Sequence, residues 1–304
     1  MLLSARMLDH ARLRPSVARM FPAAVLAFTT GCAATVGQLS VAGSRAVPPR
    51  LVVRPPEDVH IEGRRATRTL RFAMAVENRG PGDLELVGRK DPSSGRTVAV
   101  QQALAPPGRR GAAVDHELAV GALAFDGHHD HWHLGGFARF ELLDERLAPA
   151  RGARPAAKVS ACLRDSEKLR LSGGAAVPGH FICSRERQGI TVGWADVYDS
   201  SLPGQELAIG GTPDGVYLLV ITLTAPFESA GPISERVGAA RLRLTGRRVE
   251  VLETLDGRAL EELRTARASA CGCAGACSCR GPGQACECAR RHASMITDRR
   301  AASR

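Results

Sequence analysis

Short segments in which apolar and polar residues alternate constrain the fold of this chain more than any other feature of its sequence. Leu70, Phe72, Met74 and Val76 alternate with charged or small residues, and a GPGD turn at 80–83 follows them. Alternation puts successive side chains on opposite faces of a strand, so that one face can be buried. Further strands are predicted at 84–87, 97–103, 137–143, 158–163, 190–197, 205–209, 216–223 and 239–244. Many short strands separated by Gly, Pro and Asp predict an all-β chain, an antiparallel β-sandwich.

The connections between these strands and the length of the chain set the expected domain organisation. A chain of 304 residues with 44% hydrophobic content can bury a full core. Residues 105–126 and 164–187 are predicted as long loops, and long loops in compact domains are often functional. Residues 255–270 are predicted to hold a short C-terminal helix, which Asp256 would cap and which would carry Leu260 and Leu263 on one side.

A histidine-rich stretch, HHDHWH at 128–133, is the main candidate for chemistry. In an extended strand, residues at i, i+2 and i+4 share one face with a spacing of about 6.5 to 7 Å. The imidazoles of His129, His131 and His133 can therefore converge on one ion, whereas His128 has the opposite parity. Imidazole nitrogens suit copper, zinc, iron or nickel. The alternative is a solvated histidine-rich loop that binds metal only incidentally.

Three segments of the chain resemble the lysyl oxidase family. HHDHWHLGGFARFELLD, at 128–144, is similar to the copper-binding segment of that family. AAKVSACLRDS, at 156–166, resembles its lysine-bearing strand, and QGITVGWADVYDSSLPGQELAI, at 188–209, resembles its tyrosine-bearing segment. In the family that lysine and tyrosine are cross-linked to form lysine tyrosylquinone. By position, the resemblance implies Lys158 and Tyr198 as the two precursors.

Lysine and tyrosine are both rare in this chain, which makes their positions informative. Lysine occurs only at 90, 158 and 168, and tyrosine only at 198 and 217. Both predicted cofactor precursors therefore lie where the resemblance requires them. The segment LRFAMAVENRGPGDLELVG also resembles the entry strands of bacterial members, so that the likeness spans most of the chain.

The resemblance implies an activity for residues 51–254, which we interpret as a lysyl oxidase-like catalytic domain. Members of the family use Cu(II) and lysine tyrosylquinone to oxidise peptidyl-lysine or other primary amines to aldehydes, and O2 is reduced to H2O2 with release of ammonia. Asp196 lies two residues before Tyr198 on the same strand face and is the candidate general base or orienting residue. A carboxylate that is hydrogen-bonded at a strand end is the simpler interpretation of Asp196.

Two other functional classes stay open at the level of sequence. A non-catalytic copper-binding or copper-storage protein of the cell envelope would keep the histidines and the C-terminal cysteines but would not need Lys158 or Tyr198. An adhesive or structural β-sandwich would need none of these residues. The expected partner is a protein or small primary-amine substrate, together with O2.

Eight of the nine cysteines fall into two groups. The family places a disulfide around Cys162 and Cys183, and two free buried thiols are the alternative. The C-terminal segment 271–304 is predicted to be a disordered, cysteine-rich tail. Its cysteines form three C-x-C pairs, at 271, 273, 277, 279, 286 and 288. Such pairs are typical either of a thiolate cluster for Cu(I) or Zn(II) or of an unstructured, disulfide-linked tail.

The N-terminal residues 1–32 are typical of an export signal. Arginines precede a short apolar run at 20–28, and a small residue stands before Cys32, as in bacterial lipoproteins. Residues 33–50 are small, polar and proline-containing, which suits a linker. The prediction is an exported protein, either secreted or attached to the cell envelope by a lipid on Cys32.

The charge of the chain is strongly positive, with a formal value of +10 at pH 7. Such a charge permits nucleic acid or an anionic membrane as a partner. The arginines are scattered along the whole length, without basic helices or interleaved aromatic residues. We therefore expect no nucleic-acid partner, and membrane contact only through a lipid anchor at Cys32.

Overall fold

The computed structural model describes residues 43–158 and 160–270, which form sixteen strands, two short 3-10 helices and one α-helix. The strands are β1 Leu51–Val53, β2 Glu57–Glu62, β3 Thr69–Asn78, β4 Leu84–Lys90, β5 Thr97–Leu104, β6 Val114–Asp126, β7 His131–Leu134, β8 Ala138–Asp144, β9 Ala156–Lys158, β10 Glu167–Lys168, β11 Arg187–Ile190, β12 Trp194–Tyr198, β13 Glu206–Ala208, β14 Gly215–Leu223, β15 Val237–Thr245 and β16 Arg248–Asp256. The 3-10 helices are Arg65–Thr67 and Ile233–Arg236, and the α-helix is α1 Gly257–Ala270.

The strands are arranged in three antiparallel sheets. In the β3 sheet the order is β1-β3-β12-β10, with β2 and β13 also paired to β3. The β5 sheet has the order β11-β4-β5-β6-β7, and the β14 sheet has the order β16-β15-β14-β8-β9. The prediction of an all-β chain with antiparallel pairing is confirmed.

One hydrophobic core joins the three sheets. Phe72 of β3 meets Phe140 of β8 with a ring-centroid distance of 4.9 Å, so that the β3 and β14 sheets face each other as expected for a sandwich. Leu84 of the β5 sheet and Leu219 of the β14 sheet belong to the same buried cluster. Each such side chain contributes about 1.5 to 3 kcal/mol when it is fully buried.

The prediction of a loop at 105–126 was wrong over its second half. Strand β6, Val114–Asp126, is thirteen residues long and pairs with β5 on one side and β7 on the other. Most of its side chains are exposed or half-buried, and its centre is rich in Ala and Gly. A strand without a continuous buried face gives no clear alternation of apolar and polar residues.

Several strands also begin or end at residues other than those predicted. The strand predicted at 158–163 ends at Lys158, and beyond it a single bridge pairs Leu134 with Ala161. The strand predicted at 190–197 is divided into β11 and β12 by a turn that contains Gly193, which has a φ of +83°. Glycine adopts that conformation without strain, so the turn can redirect the chain between two sheets.

The C-terminal helix is confirmed, with its cap. The backbone N–H of Ala259 donates to Asp256 Oδ1 at 2.8 Å, the hydrogen bond expected of an N-cap carboxylate. Leu260 is fully buried, and Leu263 packs against the same cluster. None of the described helices is long and apolar enough to span a bilayer.

The predicted terminal segments fall largely outside the described residues. The export signal with Cys32, the first part of the linker and the cysteine-rich tail 271–304 all lie there. The last residues of the predicted linker contact the domain. Val47 N donates to Leu104 O at 2.8 Å, and Pro49 O accepts from Ala230 N at 2.8 Å.

Candidate metal and cofactor site

The hairpin between β6 and β7 carries the histidines. Asp126, the last residue of β6, pairs with His131, the first residue of β7. Between them the chain turns, and the Asp126 carboxylate accepts from the backbone N–H groups of His128 at 2.9 Å and His129 at 3.3 Å. Asp130 has a φ of +60°, which Asp tolerates better than most residues. A carboxylate-capped turn therefore forms at this point of the sequence.

The three predicted ligands converge, although by a different geometry from the one expected. His131 and His133 lie on β7 with the same parity, but His129 lies in the turn and not on the strand. The ligand atoms of all three rings nevertheless lie within 4.8 Å of one another. The expectation of one continuous H-x-H-x-H strand was wrong for His129, because the turn begins directly after Asp126. His128 is exposed and lies outside this group.

The Nδ1 atoms of these rings have protein partners, which leaves the Nε2 atoms for an ion. His129 Nδ1 lies 3.2 Å from Asp126 Oδ2, and His131 Nδ1 lies 2.8 Å from the carbonyl oxygen of His129. His133 Nδ1 lies 2.7 Å from Ser160 Oγ. Contacts of this kind fix the orientation of metal-binding imidazoles.

The spacing and protonation of the rings fit a first-row transition metal. The Nε2 atoms of His131 and His133 are 2.9 Å apart, within hydrogen-bond distance of each other, and two ligands about 90° apart around one ion adopt the same separation when each bond is about 2.0 to 2.1 Å. Burial lowers the pKa of His133, and the neighbouring His131 lowers it further. Neutral imidazole is the form that binds metal. Copper and zinc both fit such a set of nitrogen ligands.

Lys158 and Tyr198 lie against each other in the core. Lys158 is 4% exposed and Tyr198 is 6% exposed. The Lys158 Nζ lies 4.7 Å from the centroid of the Tyr198 ring, and it donates to Pro203 O at 3.1 Å. Burial lowers the pKa of Lys158, although the charge of Asp196 opposes that shift. The amine is thus biased toward its neutral, nucleophilic form while it faces the ring.

Asp196 lies beside this pair and is fully buried. Burial raises its pKa from 3.8 to about 7, and hydrogen bonding with Tyr198 opposes that rise. Its Oδ2 atom has no hydrogen-bond partner among the described residues. Burial also raises the pKa of Tyr198 well above its usual value, and the Asp196 charge adds to that rise. A carboxyl group that titrates near neutrality is suited to moving a proton.

Tyr198 is held by two further contacts. Its hydroxyl donates to the carbonyl oxygen of Cys162 at 3.3 Å. Its ring packs against Phe137 with a centroid distance of 5.8 Å. The ring therefore has a fixed position in the core, with one face toward the Lys158 amino group.

The segment that carries Lys158 links the two clusters. Ser160, two residues later, contacts His133, and Cys162, a further two residues later, accepts from Tyr198. The predicted disulfide between Cys162 and Cys183 is confirmed. Its sulfurs lie within 4.8 Å of the ligand atom of His131, but they are bonded to each other and so are not thiolate ligands. The segment from Lys158 to Cys162 thus contacts both the histidine cluster and Tyr198.

Three contributors to the site were not found from the sequence. Asp126 orients His129, Ser160 orients His133, and the carbonyl of Pro203 receives the Lys158 amino group. An Asp directly before a histidine turn is a signal for the first of these, because Asp side chains cap tight turns. The other two depend on contacts between distant segments, which sequence spacing does not reveal.

The chain was compared with known families and with curated proteins. Residues 113–253 match the family model described as "Lysyl oxidase". The matched range contains all three histidines, Lys158, Asp196 and Tyr198, and it begins just before β6. No curated protein matches the chain.

Proposed function

We propose that this chain, a member of the lysyl oxidase family of copper-dependent amine oxidases, oxidises primary amines. The reaction would use a lysine tyrosylquinone formed from Lys158 and Tyr198. Peptidyl-lysine is the favoured substrate, and the products are an aldehyde, ammonia and H2O2. One observation carries the proposal. The Lys158 amino group lies 4.7 Å from the centre of the Tyr198 ring, inside the core.

The burial of this pair is costly, which supports a role in chemistry. A buried lysine loses its hydration, and Lys158 has only a backbone carbonyl as a hydrogen-bond partner among the described residues. A copper-storage protein needs its histidines but gains nothing from a lysine held over a tyrosine ring. The contact therefore favours the amine oxidase over the storage alternative.

His129, His131 and His133 would hold the copper ion, since their Nδ1 atoms have protein partners and their ligand atoms converge. When bound, copper and the quinone supply the redox chemistry that unmodified side chains lack.

The chain's own residues would then bind, orient and move protons. Lys158, with its lowered pKa, presents a neutral amine to the Tyr198 ring. The Asp196 carboxylate, whose Oδ2 atom has no hydrogen-bond partner in the described part of the chain, would act as the general base above its pKa of about 7. Phe137 packs beside the ring and helps to hold its position.

The loop closed by the disulfide offers a surface for a protein substrate. Phe181 is 72% exposed and Ile182 is 62% exposed, and both directly precede Cys183. Adjacent exposed apolar side chains are typical of surfaces that bind another molecule. Their position next to the disulfide, which lies near His131, supports peptidyl-lysine as the substrate.

The enzyme acts outside the cytoplasm, in the cell envelope or as a secreted protein. The Cys162–Cys183 disulfide supports this location, because such bonds persist in oxidising compartments. The lipid anchor on Cys32 remains part of the same proposal.

A metal-exchange assay tests the function. The purified protein is loaded with Cu(II) or with Zn(II) under air, and H2O2 is measured with a lysine-containing peptide and with a small alkylamine. We expect H2O2 and aldehyde only from the copper form, because Zn(II) has no redox chemistry. Copper that binds tightly without any amine-dependent H2O2 would favour the storage protein instead.

A further inference from the structure

Gln205 has an unusual environment for a polar side chain. It is 0% exposed, and neither its Oε1 nor its Nε2 has a hydrogen-bond partner among the described residues. Buried polar groups are nearly always hydrogen-bonded, because an unpaired buried amide loses its bonds to water without replacement. The amide therefore has hydrogen-bonding capacity that the described residues leave unused.

Extending the register of β13 and β3 by one residue beyond Glu206 and Arg71 places Gln205 opposite Phe72, on the same face as Tyr198. Phe72 N donates to Gln205 O at 3.3 Å, while Tyr198 pairs with Met74 two residues further along β3. Residues that pair directly across an antiparallel sheet point to the same side. Phe72 and Met74 both point into the core, so the Gln205 and Tyr198 side chains do so as well. They lie about 7 Å apart along the strand direction.

The residues before Gln205 contact the Lys158 amino group. Pro203 O accepts from Lys158 Nζ at 3.1 Å. A Cβ atom placed on Gly204 would lie 3.9 Å from the same nitrogen. Gln205 therefore follows directly on the backbone that holds Lys158 against the ring.

We propose that Gln205 is a positioning residue for the cofactor, whose side-chain amide hydrogen-bonds to an oxygen that the Tyr198 ring gains on conversion to the quinone. This inference rests on the proposed function. In the precursor, the Tyr198 hydroxyl already donates to Cys162 O and the Lys158 amine to Pro203 O. A new ring oxygen on the core face would give the amide a partner and hold the ring in place.

Gln102 provides a matched control elsewhere in the core. It is also buried and has an unpartnered Oε1, but its Nε2 donates to Glu117 Oε1 at 2.9 Å. It lies on β5, which carries none of the site residues. A substitution at Gln102 therefore changes a buried amide without touching the Lys158–Tyr198 pair.

The test compares the full-length wild type with Gln205→Met and Gln102→Met. Each protein is loaded with Cu(II) under air, and the visible absorption of the quinone and the yield of the Lys158–Tyr198 cross-link are followed. In Gln205→Met we expect a shifted absorption maximum and a cross-linking rate reduced about three- to tenfold, the effect of one lost hydrogen bond. Copper binding is expected to be unchanged. Gln102→Met should match the wild type in both measurements.

Stability measurements give a second test. The copper-free Gln205→Met protein is expected to unfold at the wild-type temperature or above it, since an unpaired amide is replaced by an apolar group. A variant that fails to fold, or unfolds at a lower temperature, would show that the amide has a structural partner and would overturn the inference. So would an unshifted absorption maximum. A wild type that forms no cross-link would overturn the proposed function as well.

Discussion

The histidine cluster and the Lys158–Tyr198 pair are built in opposite ways. The histidines lie within one hairpin, and the side chain of His129 is 62% exposed. Lys158 belongs to the β14 sheet and Tyr198 to the β3 sheet, and both are buried where these sheets meet. One site is local and open, whereas the other exists only when two sheets have packed.

This difference separates metal binding from cofactor formation. The hairpin's own Asp126 carboxylate orients His129, and Ser160 orients His133 from a neighbouring segment. The Lys158–Tyr198 contact requires the complete fold. Substitutions in the two regions are therefore expected to have distinct effects, and these effects can be measured separately.

The largest expected effect comes from breaking the buried pair alone. Tyr198→Phe and Lys158→Met should each reduce amine oxidation to the background rate, because no quinone can form. Copper affinity should stay within about twofold of the wild-type value, since neither residue belongs to the histidine cluster. Tyr198→Phe also loses one hydrogen bond to Cys162 O, at a cost of about 1 kcal/mol in the free energy of unfolding.

The chain offers controls for both substitutions. Tyr217→Phe changes the second tyrosine, and Lys168→Met changes an exposed lysine that bonds to Ala176 O. Both variants should keep full activity in the H2O2 assay. Wild-type activity in Tyr198→Phe would contradict the assignment of the cofactor.

Breaking the histidine cluster should remove both copper binding and activity. For His131→Ala we expect a loss of copper affinity of more than about 100-fold, beyond the effect of an outer-sphere residue. The free energy of unfolding of the copper-free protein should fall by about 1 kcal/mol, the common effect of a single substitution at a half-buried position. His128→Ala, at an exposed residue outside the cluster, should bind copper normally. Equal losses of copper affinity in His131→Ala and His128→Ala would show that the hairpin binds copper without a specific set of histidine ligands.

Asp196→Asn sharpens the comparison inside the core. If Asp196 moves a proton in the reaction, its loss should lower the rate about 10²- to 10⁴-fold while copper affinity is unchanged. The wild-type rate should rise with pH through about 7, the pKa of this buried carboxyl, as the base ionises. Isothermal copper titration and a pH–rate profile measure the two effects. An Asp196→Asn variant with the wild-type pH–rate profile would show that Asp196 has a structural role only.

The same carboxyl predicts a pH dependence of stability. Its pKa is raised from 3.8 to about 7 in the folded protein, so the native state holds a proton that the unfolded chain has released. The stabilisation is complete below pH 3.8 and is lost as pH rises through about 7. Asp196→Asn removes this dependence. At pH 8 the variant should therefore be more stable than the wild type by at most about 4 kcal/mol, measured by denaturant unfolding.

The smallest expected effect concerns only the orientation of the histidines. Asp126→Asn weakens the contact with His129 Nδ1, and we expect copper affinity to fall about 10- to 100-fold. Asp144 is a matched control, because its carboxylate accepts from Arg146 N and Ala148 N in a similar turn without a metal cluster. Asp144→Asn should leave copper binding unchanged. Equal affinities for all three proteins would remove Asp126 from the site.

Longer strands with one buried face could be predicted from the sequence, whereas the exposed strands and the three-residue strand β1 could not. β3 and β14 bury their apolar side chains and were found, with ends that moved by a few residues. β6 and β16 expose most of theirs and were missed. The strands without a buried face form because they pair with neighbouring strands. This pairing leaves no periodic pattern of apolar residues in the sequence.

The site divides in the same way. The histidine cluster could be predicted from spacing, although the turn at His129 replaced the expected strand. The contact between Lys158 and Tyr198 could not be derived from spacing, since it depends on how two sheets pack, and only the family resemblance indicated the two residues. Ser160 acts through a contact of that same tertiary kind and had no signal in the sequence.

The most direct test of the account is intact and peptide mass spectrometry of the copper-loaded, aerated protein. The account predicts a covalent link between the peptides that contain Lys158 and Tyr198, formed with copper and absent with zinc. Copper-loaded, aerated protein in which these two peptides remain separate would contradict it, and the histidine cluster would then be a copper-binding site without a quinone.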